Sequence, residues 1–438
     1  MTYLTVYEWG RIPVCATGSC GGARAFSRTQ ANALLAAARA HPLANQHGTN
    51  ILIDRHSEIV AGQMVGVISA GGCSLEILPK LDQESIESDS AIRHRLVRML
   101  GVALGLDISD GQAATMARQS DTLLDAIIRL FVDRLLAEAR RGLPLAYLPQ
   151  ENDVPALRGR LDVKRQFSLL ATRSDRLACR YDTLLADTAL LRIMKACVIF
   201  LRRHARATET VKRLDELRLI LADVSEVPLR KLPWNQVRID RSNHRWGELY
   251  GLACLFLERK WQATHHDSRA PQGFTLLFPM NDLFEAYISV LAKKAFLGTE
   301  WTSDSQKGRL YWMVEERAGG EKLFQTKPDL LIKKGNDVAL IIDTKWKCIG
   351  SHPNDAKRGV SQADIYQMMA YTRLYRCQEA MLLYPHHVGL GSTPLDAPYR
   401  VWNGEERLRI ASVDLSTGET GVIRQLSQLF SIIKTPAS

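Results

Sequence analysis

The chain has 438 residues, of which 46% are hydrophobic and 24% are charged. This length is enough for two or three domains with hydrophobic cores, and this composition excludes a wholly disordered or fibrous protein. The formal net charge of +10 at pH 7 favours a polyanionic partner, because basic side chains gain affinity when counterions leave phosphate groups; a basic surface that serves only solubility is the alternative.

Targeting and redox features are sparse. The first residues, MTYLTVYEWG, alternate polar and apolar side chains like a strand and lack the apolar core of a signal peptide. No apolar run approaches the roughly 20 residues of a membrane span. The eight cysteines form no C-x-x-C pair, so neither a zinc site nor a disulfide framework is expected. A reduced, cytoplasmic setting is predicted.

Residues 1–84 are predicted to form a β-rich N-terminal module. Short strands are expected at TVYEW, NILIDR, MVGVIS and SLEILPKL, with one helix at SRTQANALLAAARAH. The small residues within Cys15–Arg24 predict an exposed loop before that helix.

Residues 85–262 are predicted to be mainly helical. Apolar residues recur at helical spacing in AIRHRLVRMLGVAL, SDTLLDAIIRLFVDRLLAEARRG, DTALLRIMKACVIFLRRHAR, VKRLDELRLILADV and GELYGLACLFLERK. A stretch rich in Pro, Gly and Asp interrupts these helices and indicates loops or a hairpin. Within Ala156–Arg180 basic residues outnumber acidic ones, which fits either a solvated basic loop or a phosphate-contacting surface.

Residues 263–438 are predicted to form an α/β domain. A helix at PMNDLFEAYISVLAKKAF precedes strands at RLYWMVEE, PDLLIKK and DVALIIDTKWK. A helix at SQADIYQMMAYTRLY, a strand at EAMLLYP, a further strand and a last helix at VIRQLSQLFSII follow. This order is typical of a mixed sheet flanked by helices.

Charged side chains stand at the ends of two apolar strands of this domain. Asp329 precedes LLIKK, a turn at Gly335 follows, and the next strand ends in Asp343-Thr344-Lys345. A hairpin brings Asp329 back beside Asp343, and residues two apart on a strand share a face, so Lys345 is expected to point the same way as Asp343. A solvated hairpin rim is the alternative reading.

Two carboxylates and an amine suit metal-dependent phosphodiester hydrolysis. Mg²⁺ takes oxygen ligands, which Asp329, Asp343 and the backbone carbonyl of Thr344 can supply. Lys345 can orient or help to deprotonate the attacking water and stabilise developing charge. In the following helix, Gln367 and Tyr371 are neighbours on one face because they are four residues apart. Trp246 and Trp346 are expected to pack in a core or rim rather than stack on bases.

This pattern resembles the PD-(D/E)xK nuclease superfamily, in its RecB-like branch with a Q-x-x-x-Y helix. The resemblance implies a restriction-endonuclease-like fold for residues 263–438 and a Mg²⁺ cofactor, for which Mn²⁺ can substitute. It implies a catalytic set of Asp329, Asp343, Lys345, Gln367 and Tyr371. The branch also has a leading helix whose Glu can join the metal site, which corresponds to Glu285 in this sequence.

Nearly the whole chain resembles the McrC family, the nuclease subunits of McrBC modification-dependent restriction systems. The matching stretches include VYEWGRIPV, LRGRLDV, FPMNDLFEAYI and IIDTKWK. The resemblance implies a partner AAA+ GTPase of the McrB type that binds GTP and translocates modified or foreign double-stranded DNA. It implies that the N-terminal module docks on that partner and stimulates it, so deletion of the first ~80 residues is expected to leave a folded nuclease domain.

The motor must be another protein, because the chain contains no G-x-x-x-x-G-K-[ST] phosphate-binding loop. The leading prediction is thus a DNA endonuclease subunit of a GTPase-driven restriction complex. A freestanding RecB-like repair nuclease is the first alternative. A catalytically inert DNA-binding or motor-activating adaptor is the second.

Overall fold

A computed structural model describes residues 2–15, 25–41, 43–80, 87–105, 122–257, 274–305, 310–316, 320–350 and 359–433. The chain forms two compact units: Met1–Leu123 together with Gln262–Ser438, and Leu124–Trp261. The predicted multidomain α/β class is confirmed. The sequence predicted three separate regions, 1–84, 85–262 and 263–438. In the structure the first and third of these regions belong to the same compact unit.

The N-terminal part of the first unit contains two small sheets and two helices. Its strands are β1 (Thr2–Tyr7), β2 (Arg11–Cys15), β3 (Phe26–Ser27), β4 (Leu52–Asp54), β5 (Glu58–Ala61), β6 (Met64–Ala70) and β7 (Cys73–Leu78), and its helices are α1 (Arg28–Arg39) and α2 (Asp89–Ala103). Ser27 and Gln30 form a reciprocal capping box that fixes the start of α1. The β-rich prediction for this region is confirmed, while residues 16–24 of the predicted loop lie outside the described residues.

A strand from the C-terminal half completes the first of these sheets. Its order is β1-β7-β6-β11, where β11 is Phe274–Pro279 and runs antiparallel to β6. Gly66 permits this close pairing, because a Cβ atom there would lie 2.0 Å from the carbonyl oxygen of Leu276. Leu277 of β11 belongs to the same core as Phe26 and Leu34. The N-terminal module and the C-terminal half are therefore one folded unit.

The second unit has mainly helices and one small sheet. Its elements are α3 (Leu123–Arg141), β8 (Ala146–Val154), β9 (Arg160–Leu161), α4 (Val163–Ser168), β10 (Leu177–Leu185), α5 (Ala189–Arg202), α6 (Thr208–Ile220) and α7 (Gly247–Leu257). The Pro-, Gly- and Asp-rich stretch that interrupts the predicted helices contains an antiparallel sheet of order β8-β10-β9. Two of the basic residues within Ala156–Arg180 form ion pairs: Arg180 contacts Asp162 at 2.7 Å, and Arg165 contacts Asp153 at 2.7 Å.

The C-terminal half carries a six-stranded mixed sheet of order β12-β15-β16-β17-β19-β18. Its elements are α8 (Met280–Ala295), β12 (Trp301–Ser305), β15 (Leu330–Lys334), β16 (Asp337–Thr344), α9 (Gln362–Tyr375), β17 (Glu379–Pro385), β18 (Asp396–Arg400), β19 (Arg407–Val413) and α10 (Gly418–Leu429). Strands β16, β17 and β19 are parallel, and α9 connects β16 to β17. The strand predicted at RLYWMVEE pairs outside this sheet, in an exposed hairpin of β13 (Tyr311–Val314) and β14 (Lys322–Gln325).

Cys15 is disulfide-bonded, although the scattered cysteines predicted no disulfide framework. Six further cysteines among the described residues form no disulfide. No helix among the described residues is both long and apolar enough to span a bilayer.

Candidate metal centre

The β15–β16 hairpin brings the predicted carboxylates together as the sequence indicates. Gly335 has φ of 62° and opens the two-residue turn between Lys334 and Asp337, a conformation that favours glycine. Leu330 pairs with Ile342, so the same register continues to Asp329 beside Asp343. Opposite residues on antiparallel strands point to the same face, and both carboxylates line one cavity.

Asp329 is fixed by the end of strand β16. Its Oδ2 atom accepts hydrogen bonds from the backbone N–H of Thr344 at 2.7 Å and from the Thr344 hydroxyl at 2.8 Å. Two donors from one residue restrict the rotation of the carboxylate. Thr344 therefore positions Asp329, whatever further role its carbonyl has.

Lys345 points to the same side as Asp343, as the alternation along β16 predicts. Its Nζ atom lies 2.7 Å from Asp343 Oδ2 and 3.4 Å from Gln367 Oε1. Gln367 in turn donates to the Tyr371 hydroxyl at 2.8 Å. Gln367 thus contacts Lys345 directly, and Tyr371 contacts Gln367.

Asp364 is a member of this cluster that sequence reasoning missed. It lies in the first turn of α9, is buried, and contacts Lys345 Nζ at 3.6 Å and Lys347 Nζ at 3.2 Å. A helical spacing of three separates it from Gln367, so the pattern that selected Gln367 and Tyr371 could have selected Asp364 as well. The ammonium of Lys345 therefore lies beside two carboxylates and one amide oxygen.

These side chains surround a cavity of about 360 Å³. It is lined by Asn281, Glu285, Lys327, Asp329, Asp343, Thr344, Lys345, Lys347 and Gln367. Glu285 projects from α8, the helix that the sequence placed before the site. The structure thus brings Asp329, Asp343, Thr344, Lys345, Gln367 and Glu285 to one cavity.

Burial and like charge make the ionised carboxylates costly here. Burial raises the pKa of Asp329 to about 7, and the charges of Asp343 and Glu285 act in the same direction. Burial also raises the pKa of Asp343, although Lys345 opposes the shift. Partial burial alone would lower the pKa of Lys345, but Asp343 and Asp364 outweigh it and the net shift is upward. Acidic groups of this kind gain stability when a cation compensates them.

The donor set fits a hard divalent cation. Mg²⁺ commonly uses one or two protein carboxylates and keeps several water ligands. Asp329 and Asp343 face one cavity that is large enough for the ion and its waters. Among the described residues no group of three or more His, Cys, Asp or Glu side chains is arranged to enclose a metal ion. A cage built by protein side chains alone is therefore not present there, whereas an open site that shares the ion with waters and substrate is compatible.

Trp346 follows Lys345 and packs, as predicted, beside the cavity. Its ring lies edge-on to Phe284 with 5.5 Å between centroids, and its backbone N–H donates to Asn281 Oδ1 at 3.3 Å. Its indole N–H donates to Glu8 Oε2 at 3.3 Å. Trp246 is buried in the second unit. Trp246 is thus a core residue, and Trp346 is half-buried against Phe284.

Family comparison extends over most of the chain. The family model described as "McrBC 5-methylcytosine restriction system component" matches residues 59–385. The chain belongs to the McrBC family. The matched range contains the whole candidate centre, from Glu285 to Tyr371, and ends before β18.

Relatives of this McrBC-family chain are distant in sequence. It is 24% identical over 307 residues to the "Type IV methyl-directed restriction enzyme EcoKMcrBC" of Escherichia coli (strain K12), an overlap of 66% of this chain and 84% of the relative. A solved structure, the half-complex from a tetradecameric assembly of Thermococcus gammatolerans McrB AAA+ hexamers with bound McrC, matches with a TM-score of 0.72 and 20% identity, covering 99% of this chain and 100% of that one. The cryo-EM structure of the Thermococcus gammatolerans McrBC complex matches with a TM-score of 0.54 and 23% identity, covering 67% and 88% of the two chains. These matches show a shared fold.

Proposed function

We propose that this chain is the Mg²⁺-dependent DNA endonuclease subunit of a McrBC-type restriction complex. The observation that carries the proposal is the convergence of Asp329, Asp343 and Lys345 on one cavity at the end of the β15–β16 hairpin. That arrangement follows the PD-(D/E)xK pattern, and the McrBC family gives the restriction context.

Each residue of the centre has a definable task. Asp329, Asp343 and the Thr344 carbonyl would hold Mg²⁺, which neutralises charge on the scissile phosphate when bound. Asp343 and Asp364 raise the pKa of Lys345 and keep it an ammonium, which suits it to stabilise negative charge on a phosphate oxygen rather than to remove a proton. Gln367 positions Lys345, and Tyr371 positions Gln367. Glu285 stays a predicted further ligand.

The partner in this proposal is a McrB-type AAA+ GTPase. The half-complex of Thermococcus gammatolerans contains McrB hexamers with bound McrC, and its matched chain is covered over its full length. This chain has no phosphate-binding loop of its own, so GTP would be bound and hydrolysed by the partner. The net charge of +10 is compatible with double-stranded DNA as substrate.

The test is cleavage of a methylated supercoiled plasmid by the chain purified together with a McrB-type AAA+ GTPase from the same source. Cleavage is expected only with the partner, GTP and Mg²⁺ together, and EDTA should abolish it. Equal cleavage without partner and GTP would instead support a freestanding nuclease. Stimulation of GTP hydrolysis without any cleavage would support the inert adaptor.

Asp364 gives a separate prediction about the centre. Asp364→Asn removes the second carboxylate beside Lys345 but keeps the size of the side chain, so cleavage is expected to fall about tenfold, as losses of supporting contacts typically do. Initial cleavage rates at saturating Mg²⁺ measure the effect. Gln362→Ala, an exposed change in the same turn of α9, is the matched control and should cleave normally. A wild-type rate for Asp364→Asn would remove its positioning role.

A further inference from the structure

Glu8 is a buried carboxylate far from the centre in sequence but not in space. It follows β1 in the turn Glu8-Trp9-Gly10 and is 6% exposed. Its Oε2 atom accepts two hydrogen bonds, from the Lys80 backbone N–H at 3.0 Å and from the Trp346 indole N–H at 3.3 Å. Burial raises the pKa of Glu8 to about 7, a shift that the two donors oppose. The two donors offset part of the cost of burying this carboxyl group, so the bond to Trp346 is one that Glu8 keeps when it is buried.

Trp346 is the residue through which Glu8 reaches the centre. It follows Lys345 in the chain. Its backbone N–H donates to Asn281 of α8, and its ring packs against Phe284 of the same helix. Asn281 itself lines the cavity, and Phe284 precedes Glu285, which also lines it. Trp346 therefore links the end of β16 to α8, through its backbone N–H and through its ring.

We propose that Glu8 is a positioning residue for the nuclease centre: its hydrogen bond to the Trp346 indole fixes the chain immediately after Lys345, so that the N-terminal module completes the centre. This inference rests on the proposed endonuclease function. It also assigns the N-terminal module a task in cleavage in addition to any contact with the motor.

The physical basis is the precision that phosphodiester cleavage needs. Groups that act on a reacting phosphate must be held within about 0.5 Å, and a displacement of 1 Å costs roughly a hundredfold in rate. Lys345 is the first residue after β16, and its backbone N–H donates to the Leu383 carbonyl at 2.9 Å while its carbonyl accepts from the Lys347 N–H at 3.0 Å. The side chain of Trp346 adds a restraint between these two bonds that reaches outside this segment, to Glu8.

Three variants separate positioning from folding. Trp346→Phe keeps an aromatic ring against Phe284 and removes only the indole N–H donor. Glu8→Ala removes the carboxylate that accepts from the Trp346 indole N–H and from the Lys80 backbone N–H. Glu8→Gln keeps an amide oxygen that can accept from both donors and is the matched control.

The experiment measures DNA cleavage against Mg²⁺ concentration, GTPase stimulation and thermal unfolding, with each variant in the complete complex. Trp346→Phe and Glu8→Ala are expected to lower the maximal cleavage rate about tenfold and to raise the Mg²⁺ concentration for half-maximal cleavage, while GTPase stimulation is unchanged. Glu8→Gln should behave as wild type. The double variant Glu8→Ala/Trp346→Phe should be no slower than the worse single variant, because both changes remove the same bond.

Three outcomes would overturn the inference. Wild-type cleavage by both Trp346→Phe and Glu8→Ala would show that the bond does not matter for the centre. Loss of cleavage in parallel with loss of GTPase stimulation and a lower unfolding temperature would show a purely structural role. Multiplying effects in the double variant would show that the two residues act separately. Absence of cleavage by the wild-type complex itself would instead overturn the proposed function on which the inference rests.

Discussion

Asp343→Ala is expected to abolish DNA cleavage, with a loss of roughly a thousandfold or more, because it removes a proposed metal ligand and leaves Lys345 with one carboxylate fewer. GTPase stimulation should persist, since the proposed docking on the motor is through the N-terminal module and the change lies at the cavity. Folding should also persist, because burial makes the ionised Asp343 costly and its removal relieves that cost. Cleavage, GTP hydrolysis and thermal unfolding of the same preparation measure the three effects.

Controls for this variant come from the same strand. Asp343→Asn keeps the shape of the side chain and should be equally inactive, because an amide is a weaker ligand than a carboxylate for Mg²⁺. Asp337→Ala changes an exposed aspartate at the turn end of β16 and should cleave as wild type. Cleavage by Asp343→Ala at the wild-type rate would contradict the assignment of the centre.

Deletion of residues 1–80 is expected to prevent the rest of the first unit from folding. The deletion removes β1, β6 and β7, which are three of the four strands in the sheet that β11 completes. Leu276, Leu277 and Phe278 are fully buried there, and exposing them costs roughly 5–9 kcal/mol, comparable with the whole stability of a typical domain. Soluble yield and circular dichroism of the truncated chain measure the outcome.

This prediction reverses the one made from sequence, in which the truncated chain keeps a folded nuclease domain. A contrasting change is replacement of Leu124–Trp261 by a flexible linker, which removes the second unit as a whole and should leave the first unit folded. A soluble, cooperatively unfolding product of the 1–80 deletion would show that the C-terminal half does not depend on the N-terminal sheet.

The local parts of the centre could be predicted from sequence because each depends on short-range geometry. The turn at Gly335 defines the hairpin, the hairpin sets Asp329 beside Asp343, and strand alternation sets Lys345 on the same side. Helical spacing likewise brings Gln367 and Tyr371 into contact. In each case the relevant residues are close in sequence or joined by one tight turn, so a regular period is enough to place them.

The long-range parts could not be predicted in this way. FTLLFP is a short apolar run that no local rule assigns to a sheet more than two hundred residues earlier in the chain, and its pairing with β6 depends on the assembled core. The bond from Glu8 to Trp346 joins residues 338 positions apart. Neither feature leaves a periodic signal, because both follow from how the two ends of the chain pack together.

The most direct test of the central claim is binding of Mn²⁺, as a spectroscopic substitute for Mg²⁺, followed by electron paramagnetic resonance without DNA or partner. The wild-type chain is expected to bind the ion, and Asp329→Asn and Asp343→Asn are each expected to bind it at least about tenfold more weakly. Asp329→Asn retains an oxygen that can accept from Thr344, so a weaker affinity would reflect the lost charge and not a displaced strand. No binding by the wild type, or equal binding by all three proteins, would contradict a metal centre at these carboxylates.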